Sequence, residues 1–169
     1  MVAAPVALAG ACVLPLALQA PTWRVERSRT MRASPERLRD VLSDVRAFAA
    51  CCAPAEARVS PRTTTFSRTT QGPGAWLEWS AAGVRERGTI EAVRANGVSM
   101  RYDVGGRRSR QIVEWRRVGA RRDRTEVTWA LEGDKSGVAQ RLVWPLAGLD
   151  SRLGASIEEA LASLDRATR

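Results

Sequence analysis

Acid–base or nucleophilic chemistry in this chain depends on few side-chain types, because its 169 residues include no histidine. A chain without histidine has no serine–histidine or cysteine–histidine catalytic pair and no histidine-based metal site. A general acid or base must then be an aspartate, a glutamate, a cysteine, the single tyrosine Tyr102 or the single lysine Lys135. The composition therefore excludes the commonest hydrolase sites and predicts neither a metal centre nor a cofactor.

The three cysteines lack the spacing of a metal site or of a disulfide framework. Cys12 lies in an apolar N-terminal stretch, whereas Cys51 and Cys52 are direct neighbours. Zinc and redox motifs separate their cysteines by two or more residues. We therefore expect Cys51 and Cys52 to be small buried hydrophobic side chains near the end of a helix.

Alternation of apolar and polar residues indicates which polar groups could face a pocket, because successive side chains of a strand point to opposite faces. Tyr102 shares the apolar phase of its predicted strand, so it is the best polar candidate inside, as a hydrogen-bond donor or a general acid. Four carboxylates fall on the opposite phase and are expected on the solvated face: Glu78, Asp103, Glu126 and Glu132. Three others fit neither phase clearly: Glu86, Glu91 and Glu114.

The elements that position these groups begin with a predicted strand over residues 22–32, followed by one or two helices. Ser34 and Pro35 mark a helix start, because serine caps helix N-termini and proline suits the first helical position. Apolar residues then recur at helical spacing, at Leu38, Val41, Leu42 and Val45. A second short helix is predicted around residues 46–52.

From residue 62 onward, strand-length segments alternate with glycine-containing turns. The segments are residues 62–70, 75–81, 85–95, 98–104, 109–118 and 125–132. Asn96-Gly97 and Gly105-Gly106 are typical of tight hairpins, which predicts an antiparallel sheet. Because each strand has one apolar face, one face of the sheet should be covered and the other solvated.

An amphipathic C-terminal helix is the only predicted element large enough to cover that apolar face. Its apolar residues recur every three or four positions, at Leu149, Leu153, Ile157, Leu161 and Leu164. Charged residues mark its other face: Asp150, Arg152, Glu158, Glu159 and Asp165. The pattern predicts an α+β helix-grip fold, in which a curved antiparallel sheet of about six to seven strands wraps around this helix.

Residues 1–21 form an apolar segment before the predicted domain at 22–169, with no charged side chain before Arg24. About 20 apolar residues can span a bilayer, whereas a signal peptide usually begins with positive charge. A membrane anchor, a signal peptide and a simple tail remain open. As an anchor it would leave the domain on the cytoplasmic side, because arginines follow it directly. Otherwise the domain would be cytoplasmic or secreted.

The formal net charge is +9, and nearly all of the basic residues are arginines. Most are spread along the chain, as on an ordinary solvated surface. Eight of them flank the predicted strand 109–118, in two groups at its opposite ends: Arg107, Arg108, Arg110, Arg116, Arg117, Arg121, Arg122 and Arg124. An anionic membrane surface is a candidate partner for them. Nucleic acid is not expected, because no recognised binding motif is present.

Six tryptophans accompany one tyrosine and two phenylalanines, an unusual bias among the aromatic residues. Large rings fill protein cores, but they also line ligand cavities, which are mostly apolar with a few polar groups. The candidates for a cavity wall lie on the apolar phases of the strands and of the last helix: Trp79, Ile90, Met100, Tyr102, Trp115, Trp129, Leu153 and Ile157.

Several short segments occur in an order that resembles one protein superfamily. They are Val25-Glu26-Arg27-Ser28 with Ala33-Ser34-Pro35-Glu36, Leu42-Ser43-Asp44, Gly72-Pro73-Gly74-Ala75 with Glu78-Trp79-Ser80, and Thr125-Glu126-Val127-Thr128-Trp129 with Gly133-Asp134. Their order over about residues 22–166 resembles the START and birch-pollen-allergen superfamily, also called SRPBCC or polyketide cyclase/dehydrase-like proteins. Two features depart from it: Arg29 stands where an apolar residue is usual, and residues 47–60 lack a Trp-Pro cluster.

The resemblance implies a cavity between the sheet and the C-terminal helix that binds an apolar small molecule of the lipid, quinone or polyketide class. It supplies no catalytic residues, because the superfamily has no shared catalytic motif. We therefore expect a monomer that binds or transports a ligand rather than one that transforms it. A polyketide cyclase or aromatase-like enzyme is the alternative, and an arginine-rich module on anionic membranes is a further one.

Overall fold

The computed structural model describes residues 22–52, 64–81, 84–119, 124–134 and 148–169. The apolar segment 1–21 lies outside these ranges, as do Lys135, Arg121 and Arg122 of the sequence predictions. Within the described part, no helix combines the length and the apolar character needed to cross a bilayer.

The described chain forms seven strands and three helices in the predicted order. They are β1 (Thr22–Met31), α1 (Pro35–Ser43), α2 (Val45–Cys51), β2 (Thr65–Phe66), β3 (Trp76–Ala81), β4 (Val84–Arg94), β5 (Gly97–Val104), β6 (Arg107–Val118), β7 (Arg124–Asp134) and α3 (Leu149–Ala167). The strands make one antiparallel sheet in the order β1-β7-β6-β5-β4-β3-β2. This architecture confirms the predicted α+β helix-grip fold.

The hairpin between β5 and β6 turns at the predicted glycine pair, whereas the one between β4 and β5 turns at Ala95-Asn96, one residue before the predicted Asn96-Gly97. Gly105 and Gly106 both adopt positive φ, of 54° and 80°. A two-residue hairpin of the favoured type needs positive φ at both positions, which glycine adopts without steric cost. The turn fixes the register in which Val104 faces Arg107 and Tyr102 faces Ser109.

The strand predicted over residues 62–70 is much shorter than expected. Its described part pairs with β3 only at Thr65–Phe66. The chain then turns away, because the carbonyl of Thr70 accepts a hydrogen bond from the amide of Val45 at 2.9 Å and Gln71 bridges to Asp44. The backbones of Thr70 and Gln71 thus bond to the α1–α2 junction instead of to a neighbouring strand.

Asp44 organises that junction, where α1 ends and α2 begins. Its Oδ1 accepts hydrogen bonds from the amides of Arg46 at 2.7 Å and Ala47 at 3.1 Å, and its Oδ2 accepts one from the Thr70 hydroxyl at 3.2 Å. An aspartate in this position satisfies orphan amides at a helix start. Burial alone would raise the pKa of Asp44, but these bonds, with one from Gln71, outweigh it and hold the pKa below its ordinary value.

Helix α3 packs mainly against β1, at the edge of the sheet, and less against β7. Arg27 and Arg29 lie opposite the buried Trp129 and Val127 in the register, so both start from the inner face of the sheet. Arg27 reaches Glu158 at 2.9 Å, and Arg29 reaches Asp165 at 3.7 Å. Arg29, which stands where the superfamily usually has an apolar residue, thus forms an ion pair between β1 and α3.

One expectation for α3 was wrong. Asp165 was predicted on the solvated face, but the residue is only 5% exposed. Its carboxylate lies between Arg29 of β1 and Arg169, at 3.7 and 2.9 Å. The helical spacing alone could not show this, because the inward arginines of β1 make the edge of the sheet a polar partner for the helix.

Candidate functional site

A cavity of about 200 Å³ lies between the inner face of the sheet and α3. Residues from α2, five strands and α3 line it: Phe48, Cys52, Trp79, Glu86, Tyr102, Val104, Ser109, Gln111, Trp129, Leu131, Leu153, Ser156, Ile157 and Ala160. The wall is therefore aromatic and aliphatic over most of its surface, with a few polar groups. This composition is typical of a small-molecule site.

Two larger depressions on the described surface have a different character. One of about 580 Å³ lies on the outside of the sheet, where Arg24 meets Glu132 and Arg110 meets Glu91. Another of about 570 Å³ surrounds Asp165 near the end of α3. Most of the residues that line either wall are charged, so neither offers an apolar ligand the desolvated surface found between sheet and helix.

Five of the eight predicted wall residues line the cavity: Trp79, Tyr102, Trp129, Leu153 and Ile157. The other three, Ile90, Met100 and Trp115, are buried in the core but away from its described lining. They lie farther along the strands, on the part of the sheet that α1 covers through β4, β5 and β6. Side-chain phase predicts the face of a sheet but not the position along it. Binding by the five residues stays a prediction.

Tyr102 is fixed in the cavity wall by its neighbours on the sheet. Its ring packs edge-on against Trp79, with centroids 6.0 Å apart and planes at 71°. Its hydroxyl donates to the sulfur of Met100 at 4.0 Å, a weak acceptor. Burial raises the pKa of Tyr102 far above its ordinary value, and the charge of Glu86 raises it further. The phenol therefore stays protonated and can act as a hydrogen-bond donor to a bound molecule.

Gln111 is a polar wall residue that the sequence predictions missed. It is 5% exposed, lies opposite Met100 and Leu131 in the register, and lines the cavity. Within the described residues its side-chain amide has no hydrogen-bond partner. The sequence does contain a signal that Gln111 faces inward. Alternate residues of a strand share a face, and Val113 and Trp115, two and four positions later in β6, are apolar and buried.

Glu86 is the second missed group, and its phase was predicted as ambiguous. It lies opposite Trp79 on β3 and Val104 on β5, so it shares their inner face and lines the cavity. The alternate residues Gly88 and Ile90 of β4 are buried, which is the signal that places Glu86 inside. A register shift between Ile90 and Ala92 breaks the alternation and makes the phase of Glu91 unreadable from sequence.

Helix α2 contributes Phe48 and Cys52, which complete the wall near Trp129. The Phe48 and Trp129 rings lie 6.2 Å apart with planes at 37°. Cys52 is buried at the end of α2, as predicted, and Cys51 is half-buried. The two are joined by a disulfide, however, whereas the sequence predicted no disulfide and two small buried side chains. Sequence spacing did not indicate this bond, because adjacent cysteines form no part of an ordinary disulfide framework.

The outer face of the sheet carries the carboxylates predicted there, each beside an arginine. The pairs are Glu78 with Arg87, Asp103 with Arg108, Glu126 with Arg116, and Glu132 with Arg24. Two more arginines of the predicted groups also have acidic partners, Arg110 with Glu91 and Arg117 with Glu36. Exposed pairs of this kind add little stability each. They do neutralise much of the positive charge on this face.

Comparison with solved structures finds the same fold at low sequence identity. The ginseng major latex-like protein 151 of Panax ginseng has a TM-score of 0.59 and 10% identity, over 88% of this chain and 99% of that chain. The KanY protein has a TM-score of 0.63 and 12% identity, over 87% and 97%. DynU16, from the dynemicin biosynthetic locus, has a TM-score of 0.52 and 13% identity, over 85% and 46%.

These similarities support the helix-grip fold and nothing finer, because all three identities lie far below the level at which function follows from fold. No protein-family model matches the chain, and no curated protein matches it.

Proposed function

We propose that the protein binds and carries an apolar small molecule of the lipid, quinone or polyketide class, without changing it chemically. The observation that carries this proposal is the cavity between the sheet and α3, whose wall is built from Trp79, Trp129, Phe48, Leu153 and Ile157. Removing apolar ligand surface from water drives binding in such a space. A structural neighbour from a biosynthetic locus adds support for a small-molecule ligand.

Native mass spectrometry of the full chain, purified from its own host, tests this proposal together with organic extraction of the bound material. We expect one apolar molecule per chain. As a matched pair of variants, Leu153→Trp fills the cavity from α3, whereas Ala155→Trp adds the same ring at an exposed position of that helix. Loss of the ligand in the first variant alone supports the proposal. Binding that persists when the cavity is filled would place the ligand elsewhere.

A second candidate function is proton transfer to a bound ketone, as in a cyclase-like enzyme. It is favoured by one observation, that the Glu86 carboxylate and the Tyr102 phenol line the same cavity. Glu86 would remove a proton next to a carbonyl group, while Tyr102 would donate a hydrogen bond to the oxygen that gains charge. The test is deuterium uptake from heavy water by 1-tetralone, followed by NMR. Catalysed exchange that Glu86→Gln abolishes would favour this function over simple carriage.

Association with an anionic membrane is the third proposal, and it has the least support. Of the eight arginines that suggested it, four are paired with carboxylates in the described structure: Arg108, Arg110, Arg116 and Arg117. Flotation of the full chain with phosphatidylserine vesicles, at low and high salt, measures what attraction remains. Salt-sensitive flotation would support a membrane partner, and equal flotation with neutral vesicles would contradict it.

A further inference from the structure

We infer that the ligand of this cavity is a neutral molecule of about two fused rings, whose carbonyl-type oxygen is recognised by Gln111 and Tyr102. This inference rests on the proposed binding function and narrows it to one chemical class. It draws on three properties of the cavity: its size, the two polar side chains without strong partners, and the charges of its wall.

The cavity volume of about 200 Å³ limits the ligand to a small molecule. Pockets for drug-sized ligands usually measure about 300–1,000 Å³. An engineered apolar cavity of about 150 Å³ binds a single benzene molecule. A space slightly larger than that one suits a compact molecule of two fused rings. It is too small to enclose a phospholipid or a quinone with a long isoprenoid tail.

Two buried polar side chains on the sheet wall have no strong protein partner. The residue Gln111 is 5% exposed, and its amide makes no hydrogen bond within the described part of the chain. The Tyr102 residue is 8% exposed, and its hydroxyl reaches only the thioether of Met100 at 4.0 Å. Burying polar groups without good partners is costly, so proteins usually satisfy them.

The two side chains are placed to act together. In the β5–β6 register Tyr102 lies opposite Ser109, and Gln111 is two residues further along β6, so Tyr102 and Gln111 are diagonal neighbours on the same face. Tyr102 offers a donor, whereas the carboxamide of Gln111 offers both donors and an acceptor. A carbonyl oxygen between them would accept from both.

The charges of the wall favour a neutral ligand. Among the described lining residues the only charged side chain is that of Glu86, and no arginine or lysine is present. Within the described lining, a bound carboxylate or phosphate would be desolvated without a cationic partner. This excludes fatty acids and other anionic lipids from the preferred class.

Three probes with a two-ring skeleton test the inference on the full-length protein by isothermal titration calorimetry. Naphthalene has no polar group, 1-tetralone has a neutral carbonyl, and 1-naphthoate has an anionic carboxylate. We expect 1-tetralone to bind roughly tenfold more tightly than naphthalene, as one good hydrogen bond would provide. We expect no measurable binding of 1-naphthoate.

The variant Gln111→Leu separates recognition from shape, because leucine is apolar and similar in size. It should weaken 1-tetralone binding roughly tenfold while leaving naphthalene binding unchanged or tighter. Ser99→Ala is the matched control, since Ser99 is a buried hydroxyl of β5 without a partner that lies outside the cavity lining. It should leave all three affinities unchanged.

The outcomes distinguish the inference from the function on which it rests. If wild-type protein binds naphthalene and 1-tetralone equally, or if Gln111→Leu weakens both equally, recognition of a carbonyl is wrong and apolar binding stands. Tight binding of 1-naphthoate would also overturn the inference. If none of the probes binds and Leu153→Trp changes nothing in native mass spectrometry, the inference and the proposed function both fail.

Discussion

Gly88 lies directly opposite Tyr102 across the β4–β5 pair, and a Cβ atom at position 88 would come within 3.0 Å of the tyrosine ring. The same Cβ would lie 3.2 Å from a methyl carbon of Leu77. The glycine therefore provides the space into which the ring of Tyr102 packs.

Replacing this glycine should disturb the wall without unfolding the protein. Gly88→Ala forces the Tyr102 ring or Leu77 to shift, and overpacking of this kind typically costs about 1–3 kcal/mol. Urea denaturation followed by tryptophan fluorescence measures the loss. The neighbouring Thr89→Ala is the control, because its side chain starts from the other face of β4. An equal loss in both variants would show that the contact with Tyr102 is unimportant.

Tyr102 is the only tyrosine, so its ionisation can be followed directly by absorbance at 295 nm. Because its folded-state pKa is raised, the folded protein should show no tyrosinate signal at pH values just above 10, where unfolded tyrosine ionises. This group contributes stability that is fully present below pH 10 and is lost progressively as the pH rises above it. We expect tyrosinate absorbance to appear only together with unfolding.

The matching variant for that titration is Tyr102→Phe. Because it has no phenol that ionises when the chain unfolds, it should unfold at a higher pH than the wild-type protein. A tyrosinate signal at pH 10 in a protein whose circular dichroism is still native would contradict the burial of the hydroxyl.

Asp44 should make the protein sensitive to acid. Its folded-state pKa is depressed, so it contributes stability that is present above the unfolded pKa of about 3.9 and is lost as the pH falls through the folded value. Asp44→Ala removes the helix cap and should cost about 1–2 kcal/mol at neutral pH. Urea melts at pH 7 and pH 3 measure both effects.

Asp40 provides the comparison for this experiment, since it is exposed on α1, one turn before Asp44. Asp40→Ala should change stability little at either pH. If Asp44→Ala were equally destabilising at pH 3 and pH 7, the carboxylate charge would not be the source of its effect.

Arg27 and Gly154 should show measurable energetic coupling. A Cβ atom at position 154 would collide with the guanidinium of Arg27, which then could not keep its contact with Glu158. In the Arg27→Ala background, Gly154→Ala should stabilise α3 by about 1 kcal/mol, the usual gain for this change inside a helix. In the wild-type background the gain should be smaller. A double-mutant cycle measures the difference, and additive effects would contradict the contact.

The sequence predicted the architecture well because its turn residues, its apolar alternation and its helical spacing all indicated the same fold. The glycine pair Gly105-Gly106 predicted one hairpin, and alternation predicted that the apolar side chains of the strands share one face. The helical spacing of Leu153 and Ile157 predicted the helix that covers this face. These patterns are local in the sequence, and they predict the fold correctly because all of them imply the same core.

The rest of the site could not be predicted from residue type. Glu86 and Gln111 are polar at inward positions, so an assignment by residue type placed them outside or left them open. Asp165 is buried only because inward arginines on β1 meet α3 from a distant part of the chain. The disulfide between Cys51 and Cys52 joins residues whose spacing gives no signal at all.

The order of the strands also has a consequence for how the chain acquires its structure. β1 is the first strand in sequence, yet its only partner in the described sheet is β7, so Val25 pairs with Leu131 across almost the whole domain. Pairings this distant form late and slow the folding of β-rich domains. On the ribosome, β1 must wait for β7 to emerge, and the inner face stays open until α3 follows. A ligand present during synthesis would therefore meet an unclosed binding surface before the helix seals it.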